Sequence, residues 1–244
     1  MRLISQSFIL CAGKATRLYP LTLDRPKCLL PIGTRNVLQI IIQYLESYGI
    51  SKHICNAYWQ KHLIKEFVTN YNKNIFISDE ESILGTFGGI VHALPYLEEQ
   101  FVVVYGDTIT NFNLSKLFDF HKKNKSDITI LSGRTQNPRA GGLIFADNMG
   151  RVERIIEKPE EKECVSNLIN AGVIVVNKNA VEKYKEHGFF DIGKNWLPTC
   201  INDKLSVFHL EIEKDDYFID MGTFENYNKL QDLLNVNYEN TIKN

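Results

Sequence analysis

The chain has 244 residues, 44% hydrophobic and 23% charged, with a formal net charge of −1, a composition ordinary for a globular protein that buries a real core. An isoelectric point near 6.6 argues against a general nucleic-acid binder, which needs a strong basic excess. No apolar run approaches the ~20 residues that span a bilayer, and the apolar stretch near the N-terminus is too short for a secretory signal, so the expected address is the cytoplasm with no membrane partner.

In chain order, short apolar runs alternate with helical patterns, which predicts βα units and a largely parallel sheet. Residues 8–11 (FILC) read as a first buried strand. Residues 37–48 are apolar nearly all round and predict a buried helix, with Gly49 as its stop. Strands follow at 53–58 and 74–79, separated by a helix over 60–69. A short helix is predicted over 89–97, and residues 101–107 (FVVVYGD) form the most β-like run of all. A helix over 114–123 precedes a strand at 127–132.

From Gly141 the rhythm changes. Residues 141–159 read as a hairpin turning at 147–150, followed by strands at 168–177, 205–212 and 217–222 and a helix over 224–234. The last ten residues are polar and predict a frayed end. These elements predict one domain over 1–244: a mostly parallel part to about 135, an embedded, more antiparallel substrate-binding part over about 136–222, and a C-terminal helix over about 223–235.

The five cysteines (Cys11, Cys28, Cys55, Cys164, Cys200) are odd in number and lack CxxC spacing, which points to isolated thiols rather than disulfides or zinc. The six histidines show no metal-binding spacing.

Chemistry concentrates in the first 35 residues, where six basic side chains (Arg2, Lys14, Arg17, Arg25, Lys27, Arg35) face the single acid Asp24. A strand followed by a small-residue loop and a basic cluster is how α/β proteins hold phosphates, because glycine lets backbone N–H groups approach the anion. Arg17 can fork onto two phosphate oxygens and Lys27 supplies a compact charge. The competing reading is a surface turn of solvated cations; Pro20, Pro26 and Pro31 weigh against it, because they fix a route that solvated charges do not need.

Asp107, just beyond the apolar run 101–105, lies where open α/β sheets bind ligands, or else caps a turn. A second strand-end carboxylate, Asp220, favours a shared magnesium ion, which takes carboxylates, waters and substrate phosphates. Residues 84–89 (LGTFGG) read as a flexible turn ahead of a helix, or as bare backbone on which a flat ring could lie. Residues 157–159 (EKP) are common at a strand end.

Taken together these motifs resemble the sugar-phosphate nucleotidyltransferase family, whose opening signature GGxGTRLxPLTxxxPKxLxPI is matched from Ala12 through Arg17, Pro20, Pro26 and Lys27 to Ile32. The motifs LGTFGG, GDT, EKP, INAGV and DMGT follow in the family's order, so the resemblance covers residues 8 to about 230; residues 169–177 (INAGVIVVN) and 189–198 (FFDIGKNWLP) look most like guanylyltransferases for mannose- or heptose-type 1-phosphates. It implies a doubly wound α/β fold, with a mostly parallel Rossmann-like sheet and an embedded antiparallel substrate-binding part. The implied enzyme joins an NTP to a sugar 1-phosphate, releasing pyrophosphate.

By position, the resemblance implies catalytic roles for Arg17 and Lys27 and magnesium ligation by Asp107 and Asp220. It implies nucleotide contacts from Leu10, Ala12, Gly13, Lys14, Ala15 and Thr16, and from Leu84, Gly85, Thr86 and Gly88. Sugar-phosphate contacts would come from Gly142, Glu157, Lys158 and Asn170. Alternatives are a uridylyltransferase for an amino-sugar 1-phosphate and a cytidylyltransferase for a non-sugar phosphate. A silent regulatory subunit should lose Arg17, Lys27 or an aspartate, and a dinucleotide oxidoreductase needs a GxGxxG that is absent here. One departure stands out: Ala15 occupies a usual glycine position, which costs about 1 kcal/mol or more if the backbone there needs positive φ, or shifts the phosphates slightly if it needs only close approach.

Overall fold

The computed structural model describes residues 4–71, 74–186 and 188–242, with side chains through residue 234 other than residue 140. Thirteen strands are present among them: β1 Gln6–Leu10, β2 Pro31–Ile32, β3 Arg35–Asn36, β4 Lys52–Ala57, β5 Ile75–Asp79, β6 Gln100–Tyr105, β7 Thr108–Thr110, β8 Ile128–Arg134, β9 Gly142–Ala146, β10 Val152–Glu157, β11 Leu168–Asn177, β12 Val207–Glu211 and β13 Phe218–Asp220. The helices are α1 Val37–Ser47, α2 Lys61–Tyr71, α3 Gly85–His92, α4 Leu114–Lys123, α5 Lys178–Glu182, α6 Leu197–Asn202 and α7 Phe224–Ile242.

The main sheet runs β12-β8-β11-β6-β1-β4-β5. Strands β5, β4, β1 and β6 are parallel, and β11 enters antiparallel between β6 and β8. The β9–β10 hairpin joins beside the first half of β11 through Ile169 and Leu143. The centre of the sheet is covered on both faces, which is why β6 is apolar at successive positions and does not alternate. Its Val102 and Val104 pack into one core with Val37, Ile41 and Leu45 of α1 and Leu230 of α7. Its Phe101 and Val103 pack into the other with Phe87 and Ile90 of α3, Val181 of α5 and Leu197 of α6. The α/β class, the mostly parallel sheet and the antiparallel insertion follow the sequence expectation.

Three local expectations are corrected. The glycine-rich stretch 84–89 is not a turn ahead of a helix at 89; it is the first turn of α3, which runs Gly85–His92. Gly85 opens it at φ +80, where a Cβ would lie 2.6 Å from the Phe190 carbonyl oxygen. The helical backbone also continues to Ile242, so the polar residues beyond 234 extend α7 instead of fraying; residues 243 and 244 lie outside the described residues. Helix α1 is more amphipathic than expected, with Gln43, Glu46 and Ser47 exposed. The five cysteines are free. Cys11, Cys28 and Cys55 share one core, and hydrogen bonding of the Cys11 thiol to the other two, followed by burial, raises its pKa well above the ordinary value.

Candidate active site

The parallel strands β1, β4, β5 and β6 all end on one edge of the sheet, where ligands bind in open α/β folds. A cleft of about 290 Å³ lies there, lined by the loops after these strands and by the segment before Ile192. Its size is that of a small-molecule site.

The loop after β1 passes Ala12 and Gly13 into a 3₁₀ turn, Thr16–Leu18. Ala15 sits at φ 50, ψ 46, in the left-handed region that glycine adopts freely. Two bonds hold it there: its carbonyl accepts from the Leu18 amide at 3.1 Å and from Thr22 Oγ1 at 2.9 Å. Gly13 is different, because a Cβ there would meet nothing within 4 Å. Lys14 lies 5.3 Å above the Trp59 ring, a cation–π contact outside the cleft lining.

Beneath the loop sits a buried polar relay. Asn56 of β4 accepts from the Cys11 amide at 2.7 Å and donates to Glu80 Oε1 at 2.7 Å. Glu80 is 1% exposed, and its carboxyl pKa is raised by burial, partly offset by Asn56 and the Leu84 backbone. The relay ties the phosphate-type loop to the entrance of α3. Gly89 of α3 is small for the same reason, since a Cβ would lie 2.7 Å from both Asn56 Nδ2 and Glu80 Oε1.

Opposite the loop, Lys27 forms an ion pair with Asp107. Strands β7 and β13 pair Thr108 with Asp220, and the Met221 amide donates to the Asp107 carbonyl at 2.8 Å, which brings both carboxylates to one place. Burial raises the pKa of Asp220, and the charge of Asp107 raises it further; Lys27 and Arg17 oppose the shift. Asp220 Oδ1 is buried with no hydrogen-bond partner among the described residues. An orphaned carboxylate oxygen beside a second carboxylate is a donor set that suits a hard divalent cation, which would relieve both the repulsion and the missing bond. No group of three or more His, Cys, Asp or Glu side chains gathers to hold a metal among the described residues.

On the far side, Tyr105 hydrogen-bonds Asn170 and faces the charges of Glu157, Asp107 and Asp191, while burial pushes its phenol pKa up. Glu157 packs against glycine backbone on two sides: a Cβ on Gly142 would lie 2.8 Å from its Oε2, and one on Gly193 would overlap it. Burial raises the Glu157 pKa, Lys158 lowers it and Asp191 raises it. Lys158 itself stands at φ 50.

Leu10, Ala12, Gly13, Ala15, Lys27, Gly85, Thr86 and Asp107 line the cleft. Arg17 and Asp220 adjoin the Lys27–Asp107 pair, and Glu157 and Asn170 adjoin the far wall. Thr16, Leu84, Gly88, Gly142 and Lys158 stand outside the lining. Gly88 serves packing, because its Cβ would lie 3.0 Å from that of Leu84. Sequence reasoning missed Asn56, Glu80, Tyr105 and Asp191, all of which line the cleft. A lone amide inside the apolar strand HICNAY was a usable signal for Asn56; the others depend on long-range pairing.

The family model described as nucleotidyl transferase matches residues 6–236. The chain belongs to this family. Among similar proteins, a mannose-1-phosphate guanylyltransferase of Mycobacterium tuberculosis is 30% identical over 223 residues, covering 90% of this chain and 61% of that protein. A mannose-1-phosphate guanyltransferase of Schizosaccharomyces pombe is 29% identical over 232 residues, covering 91% of this chain and 62% of that protein. The chain thus spans about three fifths of these curated relatives. The crystal structure of HddC from Yersinia pseudotuberculosis superposes with a TM-score of 0.81 at 26% identity, covering 95% of this chain and 100% of that one. A second HddC structure, complexed with GMP-PN, matches with a TM-score of 0.78. Among the described residues no helix is long and apolar enough to cross a membrane.

Proposed function

We propose that this nucleotidyl transferase joins an NTP to a sugar 1-phosphate, releasing pyrophosphate, with GTP and a mannose- or heptose-type 1-phosphate as substrates and magnesium as cofactor, in the cytoplasm. The observation that carries the reading is the meeting of Lys27, Arg17, Asp107 and Asp220 beside an open glycine loop at the carboxyl edge of the sheet. The choice of GTP leans on relatives named as guanylyltransferases and on the GMP-PN complex of HddC.

In the proposed reaction a phosphate oxygen of the sugar 1-phosphate attacks the α-phosphorus in line. The new P–O bond forms as the bond to the β-phosphate oxygen breaks, and pyrophosphate leaves with that electron pair. The nucleophile is already an anion, so no general base is needed. Repulsion between two polyanions is the obstacle, and the basic residues would lower it. Arg17 would neutralise charge on the leaving pyrophosphate, Lys27 would sit at the phosphates during transfer, and Lys158 would hold the sugar phosphate. Gly13 and its neighbours would offer backbone N–H groups, and Gly85 and Thr86 would border the nucleoside. Glu157 and Asn170 would accept and donate bonds to sugar hydroxyls, with Gly142 leaving room for them. Asp107 and Asp220 would hold the magnesium ion, which supplies charge neutralisation at the phosphates when bound.

Pyrophosphate release, crossing five NTPs against a panel of sugar and non-sugar 1-phosphates, tests the reading. GTP with a manno-configured sugar is the expected hit. Activity with UTP and an amino-sugar phosphate would overturn the substrate choice, and activity only on a non-sugar phosphate would overturn the sugar reading. Lys158→Ala should weaken sugar-phosphate use more than NTP use.

A further inference from the structure

The loop after β1 is held by more than the Asn56–Glu80 relay. Strand β4 ends at Ala57, and Trp59 and Gln60 connect it to α2. The Trp59 ring is half-buried, yet it belongs to neither apolar core among the described residues. It makes two contacts of a different kind. Its face carries the Lys14 ammonium 5.3 Å from the ring centroid, and its edge donates from Nε1 to the Thr22 carbonyl at 3.3 Å. Thr22 is fully buried, and its Oγ1 donates in turn to the Ala15 carbonyl at 2.9 Å. Beside it, Gln60 stands at φ 48 and donates from Nε2 to the Leu23 carbonyl at 3.5 Å.

Between these anchors the chain is a run of tight turns. The Leu18 amide donates to the Ala15 carbonyl at 3.1 Å, Tyr19 to Thr16 at 3.2 Å, Leu21 to Leu18 at 2.8 Å and Leu23 to Pro20 at 3.1 Å. A segment bonded to itself in this way keeps its shape, so its placement depends on what grips its ends. Asn56, three residues before Trp59, grips the first end by accepting from the Cys11 amide at 2.7 Å. The end of one strand thus fixes the loop at residues 11, 14 and 22. Gly13 and Ala15 lie within that span and line the cleft, whereas Lys14 and Trp59 do not line it. Arg17 also lies within it, packed so close to Gly222 that a Cβ there would come 3.0 Å from its Nη2.

From this geometry we infer that Trp59 is a positioning residue for the nucleotide: without touching substrate, its indole clamps residues 14 and 22 on either side of the left-handed Ala15 turn and so sets where the loop presents its amides and Arg17 to the triphosphate. This role rests on the nucleotide-binding reading above. It also gives the strained alanine a reason to stay where it is, because a non-glycine residue persists in the left-handed region only where its surroundings over-determine it.

The test compares wild type with Trp59→Leu, which removes both contacts, and Trp59→Phe, which keeps a ring under Lys14 and loses only the donation to Thr22. Titration calorimetry with magnesium and GTP, or the NTP that the panel selects, gives the nucleotide Kd, and pyrophosphate release gives KM for each substrate. In Trp59→Leu the Kd and KM for the NTP should rise about tenfold, the combined loss of a cation–π contact and a hydrogen bond, while KM for the sugar 1-phosphate stays within about twofold. Trp59→Phe should fall between, with an NTP Kd raised about threefold. An NTP affinity in Trp59→Leu within about twofold of the wild type overturns the inference. An equal rise in both KM values also overturns it, because a loosened fold does not single out the nucleotide. Should Trp59→Leu fail to fold, Trp59→Phe decides alone: the same split supports the role, and an unchanged NTP Kd refutes it. A wild type that binds an NTP but releases no pyrophosphate with any sugar 1-phosphate overturns the sugar-phosphate reading instead, and the NTP titration still decides the role of Trp59.

Discussion

Ala15 offers a direct measure of what the loop after β1 costs. Its φ of 50 and ψ of 46 place an alanine Cβ against its own carbonyl region, a conformation that costs an L-residue about 1–2 kcal/mol. Glycine adopts it without that strain but loses more backbone entropy on folding, by about 0.5–1 kcal/mol. The net expectation for Ala15→Gly is a gain of about 0.5–1 kcal/mol. For a chain of 244 residues this raises Tm by about 1–4 °C, at roughly 2–4 °C per kcal/mol. The bonds from Leu18 and Thr22 run to the Ala15 carbonyl, not to its side chain, so the loop should keep its shape in the variant. Calorimetry and urea unfolding of Ala15→Gly, wild type and Ala15→Val check the order. Stability should fall from glycine through alanine to valine, because a β-branched residue is worst at positive φ. Should Ala15→Gly prove less stable than the wild type, with an unchanged m-value, the strain argument fails and the alanine methyl contributes packing that its position does not account for.

Three further outcomes follow, two from the site and one from the core. Gly13→Ala should leave Tm within about 1 °C and raise KM for the NTP, since a Cβ there meets only open space, whereas Gly106→Ala, whose Cβ would overlap the Leu10 carbonyl oxygen, should lose about 2 kcal/mol or more; equal Tm losses would refute the division between ligand-facing and packing glycines. Magnesium at about ten times its Kd should stabilise the wild type by about 1.4 kcal/mol, or roughly 3–6 °C, and this increment should vanish in Asp220→Asn, which keeps the shape of the buried side chain but removes the charge raised in pKa by burial and by Asp107; an increment that survives the substitution would remove the metal from this pair. His53 is 1% exposed, and burial lowers its pKa to about 4 from 6.5, so the unfolded chain takes up the proton first as pH falls. Stability is complete above about 6.5 and is lost toward about 4, by about 2 kcal/mol at pH 5, less whatever Glu46, 3.9 Å from Nε2, restores; urea midpoints at pH 7 and 5 should converge in His53→Gln relative to the wild type.

How far the sequence carried is a matter of which distances are local. Strand β11 at Leu168–Asn177 and helix α4 at Leu114–Lys123 coincide with their expected bounds, because burial on both faces and an amphipathic stripe are written in consecutive residues. The start of α3 was missed because glycines disfavour helix interiors. Here tertiary contacts override that preference: the amides of Phe87 and Gly88 donate to the Phe190 carbonyl, and Thr86 bonds Asp191. Those partners lie about a hundred residues away and leave no local trace.

The same division runs through the candidate site. The basic loop and Asp107 were legible because each follows an apolar strand of the parallel sheet, where topology puts it at the ligand edge; Asp220 also ends an apolar strand but reaches that edge through the pairing of β13 with β7. The Asn56–Glu80 relay and the Asp191 carboxylate were not, since each has meaning only through a partner on another strand or helix. Sequence thus exposed the charged, loop-borne groups to which the proposed reaction gives the phosphates. It concealed those that tie the loop to α3 and line the rest of the cleft, because a buried amide or carboxylate is chemically silent until the fold supplies its partner.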